Sequence, residues 1–451
     1  MRSRTVRKTI VALIAAAIVV VIAGAIFWRV FNPGPMAFTR GTTVALSDYH
    51  GADPTGVPTD FKNADVVKRG EYLARAADCM VCHTSQGGEQ YAGGLAIPLP
   101  FGTLYSTNIT PDKATGIGDY SDADFLNAVQ RGVRRDGTHL YPAMPYPSYT
   151  YMTDADALAI KAYLFSLASV RSANRADTLG FPFNQRWLMG PWSFIFNQDV
   201  RFRPDAAQSP EWNRGAYVAE ALAHCGECHT PRNLAFALNN RTKFAGALTA
   251  GWHAFNITSD RGSGIGAWND EEIAAYLSTG HASGRGTAAG PMGEAVDQSF
   301  SLLAPADINA MVAYLRSVPP VASSEPATIA PPAPLSPKQG RETSDILGRK
   351  VFEGACVSCH SWTGVSTISP YATIAGARAV NDPTATNVAQ IVISGTMRHA
   401  PKGIISMPGF GGIYSDEEIA AVVNYVTKRF GSEESKISAK DVAELRSSTS
   451  Y

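Results

Sequence analysis

The longest uninterrupted apolar segment of the chain lies at its N-terminus. Four basic residues within the first eight positions precede an uncharged run of 20 residues, Thr9 to Trp28, dominated by Ile, Val, Ala and Leu. A helix rises about 1.5 Å per residue, so about 20 residues cross the ~30 Å hydrocarbon core of a bilayer. Basic residues flanking a span are retained in the cytoplasm. The pattern predicts a cytoplasmic basic segment and transmembrane anchor over residues 1–31, with the rest of the chain exported.

A cleaved signal peptide is the alternative for this segment, with a cleavage site at Ala23-Gly24-Ala25. The apolar run continues past that site through Ile26 and Phe27, and Trp28 followed by Arg29 is typical of an anchor at the membrane interface. We therefore predict an uncleaved anchor, and the cleaved signal stays the alternative.

Beyond the anchor, one helical pattern occurs three times. Each occurrence has a lead-in helix with a glycine, a second helix that a glycine ends, and a closing amphipathic helix with a tyrosine in its apolar stripe. No sustained period-2 alternation separates these helices. The pattern predicts an all-α fold, with three helical domains in tandem behind a transmembrane helix. The marker residues are Gly70, Gly215 and Gly348 in the lead-in helices, Gly132, Gly280 and Gly395 after the second helices, and Tyr163, Tyr314 and Tyr425 in the closing helices.

The three occurrences set the domain boundaries. We refer to residues 62–172 as repeat 1, 207–318 as repeat 2 and 341–432 as repeat 3. An aromatic-rich connector, 173–206, joins the first two, and it is interpreted as packing between domains, with a membrane or quinone surface as the alternative. Proline dominates a linker over 319–340, which predicts an extended spacer, and residues 433–451 are predicted as a C-terminal tail.

Charge excludes one class of function. The chain of 451 residues carries 39 basic and 39 acidic side chains, so its formal net charge of zero gives no support for binding nucleic acid. The six cysteines are more informative, because all of them belong to three copies of the pattern C-x-x-C-H. The copies are Cys79, Cys82 and His83 in repeat 1, Cys225, Cys228 and His229 in repeat 2, and Cys356, Cys359 and His360 in repeat 3.

This pattern is typical of covalent c-type haem attachment. Two thiols add to the two vinyl groups of one haem, and the histidine that follows ligates the iron. Zinc sites and thioredoxin-type pairs also use C-x-x-C, but zinc pairs usually lie 15–20 residues apart and a redox pair needs no histidine. The sequence therefore predicts three covalently bound haem c groups. Haem attachment of this kind takes place in the bacterial periplasm, so the chain is placed in the inner membrane, with a single N-terminal pass and its haem domains on the periplasmic side.

A methionine recurs in register with the three patterns. Met144, Met292 and Met407 each lie 12 residues after the glycine that ends the second helix, and proline adjoins each of them. Methionine is a common sixth ligand in cytochromes c, and a rigid segment beside proline suits a ligand loop. We predict these three methionines as iron ligands. Met397 is the rival in repeat 3, but it is out of register.

Several segments carry a resemblance to a known family. These are Gly70-Glu71-Tyr72, Tyr105 to Pro111, Leu140 to Tyr146, Ser209 to Arg232, and Asn381-Asp382-Pro383. Over most of residues 65–431 the chain resembles the trihaem cytochrome c subunits of bacterial membrane-bound dehydrogenases. The resemblance implies an electron-transfer subunit that takes electrons from a catalytic dehydrogenase subunit and passes them to ubiquinone.

The partner and its substrate are narrower expectations. The uncleaved anchor resembles the cytochrome subunit of a molybdopterin and iron–sulfur aldehyde dehydrogenase, whereas a quinoprotein or flavoprotein partner stays possible, and the substrate expected is an aldehyde or alcohol. We expect no catalysis by this chain alone, because no nucleotide-binding or nucleophile motif occurs. The alternatives are a membrane-tethered shuttle to a terminal oxidase and a haem enzyme such as a peroxidase.

Overall fold

The structure, a computed structural model, describes residues 2–31, 42–323, 346–400, 403–432 and 434–448. Most of the linker predicted over 319–340 lies outside the described residues. The first helix, α1 (Arg2–Phe31), contains one segment, Arg7–Trp28, that is long and apolar enough to cross a membrane. That segment has a mean hydropathy of 3.1 and none of it is buried against the protein, as expected of an anchor or of a signal sequence.

Repeat 1 folds as predicted around its lead-in and closing helices. Gly70 lies where these two helices cross, and a Cβ atom there would stand 1.8 Å from the carbonyl oxygen of Ala159. Only glycine allows this approach. Side chains of Asp65, Ser121 and Thr153 cap the three longer helices. The elements are α2 (Val66–Ala76), α3 (Cys79–Cys82), β1 (Ala96–Leu99), β2 (Gly102–Tyr105), α4 (Asp122–Arg131), α5 (Tyr146–Tyr149) and α6 (Asp154–Ser166).

Repeat 2 follows the same order after the connector, which contains helix α7 (Met189–Phe196). Gly215 repeats the close crossing, since a Cβ atom there would stand 1.8 Å from the carbonyl oxygen of Ala310. The elements are α8 (Pro210–Tyr217), a π-helical turn (Val218–Leu222), α9 (Gly226–His229), β3 (Ala247–Thr249), β4 (Trp252–Ala254), α10 (Asp270–Thr279), β5 (His281–Ala282), β6 (Gly286–Thr287), α11 (Gly290–Gln298) and α12 (Pro305–Ser317).

Repeat 3 has its own hydrophobic core, and the C-terminal segment belongs to it. Val442 is fully buried in this core, and Arg446 pairs with Asp416 at 2.7 Å. The described part of the predicted tail, 434–448, is therefore packed structure. The elements are α13 (Ile346–Val351), a π-helical turn (Phe352–Cys356), α14 (Val357–His360), α15 (Thr386–Ser394), β7 (Thr396–Ala400), β8 (Gly403–Met407), α16 (Asp416–Phe430) and α17 (Ala439–Ser448).

Short strands correct the prediction of a purely helical fold. Within the described residues, eight strands form four antiparallel hairpins, in the order β1-β2, β3-β4, β5-β6 and β7-β8. Their strands are two to five residues long, too short for an alternation of apolar and polar positions to show in the sequence. The predicted helix ends are confirmed, because Gly132, Gly280 and Gly395 end α4, α10 and α15 with positive φ angles of 65°, 70° and 73°.

Repeats 1 and 2 share one continuous hydrophobic core. Two reciprocal hydrogen bonds cross between them inside this core. The hydroxyl of Tyr72 in repeat 1 donates to Asp307 in repeat 2 at 2.6 Å, and the hydroxyl of Tyr217 in repeat 2 donates to Asp156 in repeat 1. Each tyrosine lies two residues after a lead-in glycine, and each aspartate lies in the first turn of a closing helix. The first two repeats are therefore joined in an approximately two-fold manner.

Candidate haem sites

Each C-x-x-C-H pattern forms a short helical turn. In the first two repeats the backbone N–H of the histidine donates to the carbonyl of the first cysteine, His83 to Cys79 and His229 to Cys225, both at 3.1 Å. In repeats 2 and 3 a π-helical turn leads into the pattern. Such turns are rare and occur frequently at functional sites. The local structure therefore holds two thiols and one imidazole on a single turn in every repeat.

The three histidines make the same second hydrogen bond. Nδ1 of His83 lies 2.7 Å from the carbonyl oxygen of Thr107, and Nδ1 of His229 and His360 lies 2.6 Å from the carbonyl oxygens of Phe255 and Ala372. A carbonyl only accepts, so Nδ1 carries the proton and Nε2 is the unprotonated ring nitrogen. A ligand histidine is typically oriented by a bond of this kind.

Burial favours the neutral, ligand form of two of these imidazoles. It lowers the pKa of His83 and of His360, while the bond to a backbone carbonyl opposes this effect in both. Coordination of a metal requires the neutral ring. In the neutral rings of His83 and His360, Nε2 is therefore the nitrogen that can ligate a metal ion.

The repeated segments Asn108-Ile109-Thr110 and Asn256-Ile257-Thr258 explain how the carbonyls are held. Oδ1 of each asparagine accepts hydrogen bonds from the backbone N–H and the hydroxyl of the threonine two residues later, at 2.7–2.9 Å. The carbonyl that receives the histidine bond belongs to the residue just before each asparagine. The repetition was visible in the sequence, but its role follows only from the structure.

Five of the six cysteines are held as neutral thiols, and Cys359 is exposed. Burial is the largest cause that raises the pKa of Cys79, Cys82 and Cys225 to about 12, and the pKa of Cys228 and Cys356 to about 11. A zinc site needs thiolates and usually four converging donors. Within the described ranges, no group of three or more His, Cys, Asp or Glu side chains is arranged to hold a metal ion. The donor set fits covalent haem attachment better than zinc.

The three register-matched methionines lie in different local structures. Met144 lies in the turn before α5, Met292 in the first turn of α11 and Met407 at the end of β8. A proline-stiffened loop was expected at all three positions, and only Met144 lies in one. Met144 and Met292 pack against the core that also contacts Cys79 and Cys225. Met407 is half-buried and is not among the described residues that pack on the core of repeat 3.

The first two candidate sites lie next to each other. The thiol of Cys82 is near enough to Cys228 that a charge on Cys228 contributes to the raised pKa of Cys82, after burial and Asp78. Ser148, shortly after Met144, donates to Glu227 of the second pattern at 2.8 Å. Helix α11, which carries Met292, packs on α3 of the first pattern. The segment that carries Met144 thus contacts repeat 2, and the helix that carries Met292 contacts repeat 1.

Two buried arginines of repeat 3 contact repeat 2, one beside the helix that carries Met292 and one beside the carbonyl that orients His229. Arg398 pairs with Asp297 of α11 at 2.7 Å, where the two side chains are 3% and 6% exposed, and it donates to the carbonyl of Ala288. Arg378 donates to the carbonyl of Asn256 at 3.2 Å, beside the carbonyl that orients His229. Nothing in the sequence indicated these contacts, because they join residues more than 100 positions apart.

Comparison with known proteins identifies two parts of the chain as cytochrome c domains. The cytochrome c family model matches residues 67–168 and 346–429. The fructose dehydrogenase cytochrome subunit of Gluconobacter japonicus is 37% identical over 439 residues, covering 91% of this chain and 89% of that protein. The gluconate 2-dehydrogenase cytochrome c subunit of Pantoea cypripedii is 38% identical over 403 residues, covering 86% and 91%.

A longer relative matches as well. One of the subunits of nicotinate dehydrogenase from Pseudomonas putida is 40% identical over 373 residues, which are 82% of this chain and 31% of that protein, so the chain spans about a third of its length. The match to the shorter cytochrome subunits covers nearly the whole of both partners. The chain belongs to the family of cytochrome c subunits of membrane-bound dehydrogenases.

Proposed function

We propose that the chain holds three haem c groups. The thiols of Cys79 and Cys82, Cys225 and Cys228, and Cys356 and Cys359 attach them. His83, His229 and His360 ligate the iron on one side, and Met144, Met292 and Met407 on the other. The observation that carries the proposal is the same Nδ1-to-carbonyl hydrogen bond at all three histidines. When bound, each haem supplies reversible one-electron chemistry at iron.

The chain's own residues bind, orient and shield these groups. A closed pair of axial ligands leaves no position for a substrate, which favours an electron carrier over a peroxidase-type enzyme. The contacts between the first two sites, and the arginines that join the second site to repeat 3, bring all three sites into one body. We propose that electrons pass between the sites over these contacts.

A catalytic dehydrogenase subunit is the proposed electron donor and ubiquinone the proposed acceptor. The relatives are named as subunits of fructose, gluconate and nicotinate dehydrogenases, which supports a dehydrogenase partner. The apolar helix α1 supports delivery to a carrier in the membrane. We propose a molybdopterin and iron–sulfur partner that oxidises an aldehyde or alcohol, from the resemblance of the N-terminal anchor.

Mild purification of the tagged full-length chain from membranes tests this proposal. We expect a catalytic subunit to co-purify, its substrate to reduce the haem bands, and added ubiquinone to reoxidise them. Metal and cofactor analysis of the co-purified subunit distinguishes molybdopterin from quinoprotein and flavoprotein partners. The chain expressed without its neighbouring genes is the control and should stay oxidised in the presence of substrate. A preparation that contains no second subunit, and that passes electrons only to a terminal oxidase, would support the shuttle instead.

The axial methionines give a residue-specific prediction. Methionine ligation raises the potential, so Met144→Ala, Met292→Ala and Met407→Ala should each lower one midpoint by on the order of 100 mV and leave two unchanged. Each should also remove about one third of the methionine–sulfur charge-transfer band of the oxidised protein. Redox titration followed by visible spectroscopy measures both. Met397→Ala is the control, because this side chain is 62% exposed, and it should change neither.

Equal spectra and midpoints for any register-matched variant and the wild type would refute that ligand assignment. Met407 is the most demanding case, because its local structure is a strand end. A shift of one redox midpoint caused by Met397→Ala would make Met397, and not Met407, the iron ligand of repeat 3.

The ion pair of Arg398 with Asp297 gives a prediction for the redox midpoint of the repeat-2 haem. Removing Arg398 leaves the buried Asp297 of α11 without its guanidinium partner and with the backbone N–H of His399 as a remaining donor, a loss that costs about 3–5 kcal/mol for a buried pair and loosens the helix that presents Met292. Arg398→Ala should therefore lower the same midpoint as Met292→Ala, and add no further shift in the double variant. Arg446→Ala is the matched control, because it breaks an arginine–aspartate pair inside repeat 3. Additive shifts in the double variant would contradict this role.

A further inference from the structure

The three C-x-x-C-H patterns differ in the charge of the residue just before the second cysteine. This residue is Val81 in repeat 1 and Ser358 in repeat 3, but it is Glu227 in repeat 2. Consecutive Cα atoms are about 3.8 Å apart, so the backbone of Glu227 lies within about 8 Å of that of His229, two positions later. Repeat 2 therefore carries a carboxylate inside the turn that holds its thiols and imidazole.

The carboxylate of Glu227 forms an ion pair whose two partners differ in burial. Oε2 lies 2.7 Å from Nη2 of Arg232, and the two side chains are 9% and 34% exposed. Oε1 accepts a hydrogen bond from the hydroxyl of Ser148, which belongs to repeat 1, at 2.8 Å. The guanidinium also donates to the backbone carbonyl of Glu227 at 3.0 Å. The acidic partner is thus inside the protein, whereas the basic partner reaches water.

The two charges act on the attachment site with unequal strength. At the thiol of Cys228, burial is the largest cause of the raised pKa, the negative charge of Glu227 raises the pKa further, and the positive charge of Arg232 lowers it by a smaller amount. Water screens an exposed charge more strongly than a buried one. The ion pair therefore leaves a net negative field at the repeat-2 site, although its formal charge is zero.

We infer that the ion pair of Glu227 and Arg232 lowers the reduction potential of the repeat-2 haem, an inference that rests on the proposed function. A negative field favours the ferric state, because this state carries one more positive charge than the ferrous state. The corresponding residues of the other two patterns, Val81 and Ser358, are uncharged, so this contribution is specific to repeat 2. Both residues act on the iron through their charge and are positioning residues, not ligands.

Redox titration of the full-length holoprotein at pH 8, where carboxyl groups are ordinarily ionised, tests this role. The repeat-2 midpoint is the one that Met292→Ala moves. Glu227→Gln leaves the cation alone, so it should raise the ferrous-to-ferric ratio at a fixed applied potential about tenfold, which is a rise of about 59 mV for one electron. Arg232→Gln leaves the carboxylate alone, still held by Ser148, and should lower the same ratio severalfold.

Opposite shifts distinguish a charge effect from a structural one. Both substitutions break the same ion pair, so a merely structural role would move the midpoint in one direction. Arg232→Lys keeps the cation and should give a midpoint near that of the wild type. The double variant with glutamine at both positions should lie between the single variants and above the wild type. Arg446→Gln and Asp416→Asn are matched controls, because they break a 2.7 Å pair of similar exposure in repeat 3 and should leave this midpoint unchanged.

Shifts of one sign in both single variants, or no shift in either, would overturn the role of the ion pair while leaving the haem assignment intact. If Glu227→Gln fails to fold or to take up haem, Arg232→Gln and Arg232→Lys decide the question, because only the first removes the charge. Equal midpoints for these two variants would then overturn the role. A wild-type protein that carries no haem on Cys225 and Cys228 would overturn the proposed function and this inference together.

Discussion

A hydrogen bond from imidazole Nδ1 to a backbone carbonyl is the constraint on which the sites depend. It occurs at His83, His229 and His360, with N···O distances of 2.6–2.7 Å. The bond fixes the tautomer and the plane of each ring, so that Nε2 is the unprotonated nitrogen that can ligate iron. Burial keeps the rings of His83 and His360 neutral. The loops that supply the carbonyls are held in turn by Asn108 and Asn256 in the first two repeats.

Contacts between the repeats bring the candidate sites together. Repeats 1 and 2 share a core, and Tyr72–Asp307 and Tyr217–Asp156 fasten it with reciprocal bonds. Buried polar groups of this kind specify one arrangement, because each would be left unpaired in another. Repeat 3 keeps its own core and docks through Arg378 and Arg398. Repeat 2 therefore contacts both repeat 1 and repeat 3.

Local features of the fold were predictable from the sequence, and long-range contacts were not. Gly132, Gly280 and Gly395 end helices because positive φ is a local property of glycine. The close helix crossing at Gly70 and Gly215 had a sequence signal, since both glycines recur before the cysteines. The four hairpins had none, because strands of two to five residues hold too few alternations to be recognised in the sequence. Helix α17 was missed because its burial depends on α16.

In the candidate sites, too, some residues were predictable from the local sequence and others depend on long-range contacts. The cysteines and histidines follow from one five-residue pattern, whereas Arg398 joins Asp297 across 101 positions. The mass of the intact mature chain, extracted from membranes and measured under denaturing conditions, tests the central claim most directly. We predict the mass of the polypeptide plus three covalently attached haem groups. A mass that carries two haems or fewer would contradict the account.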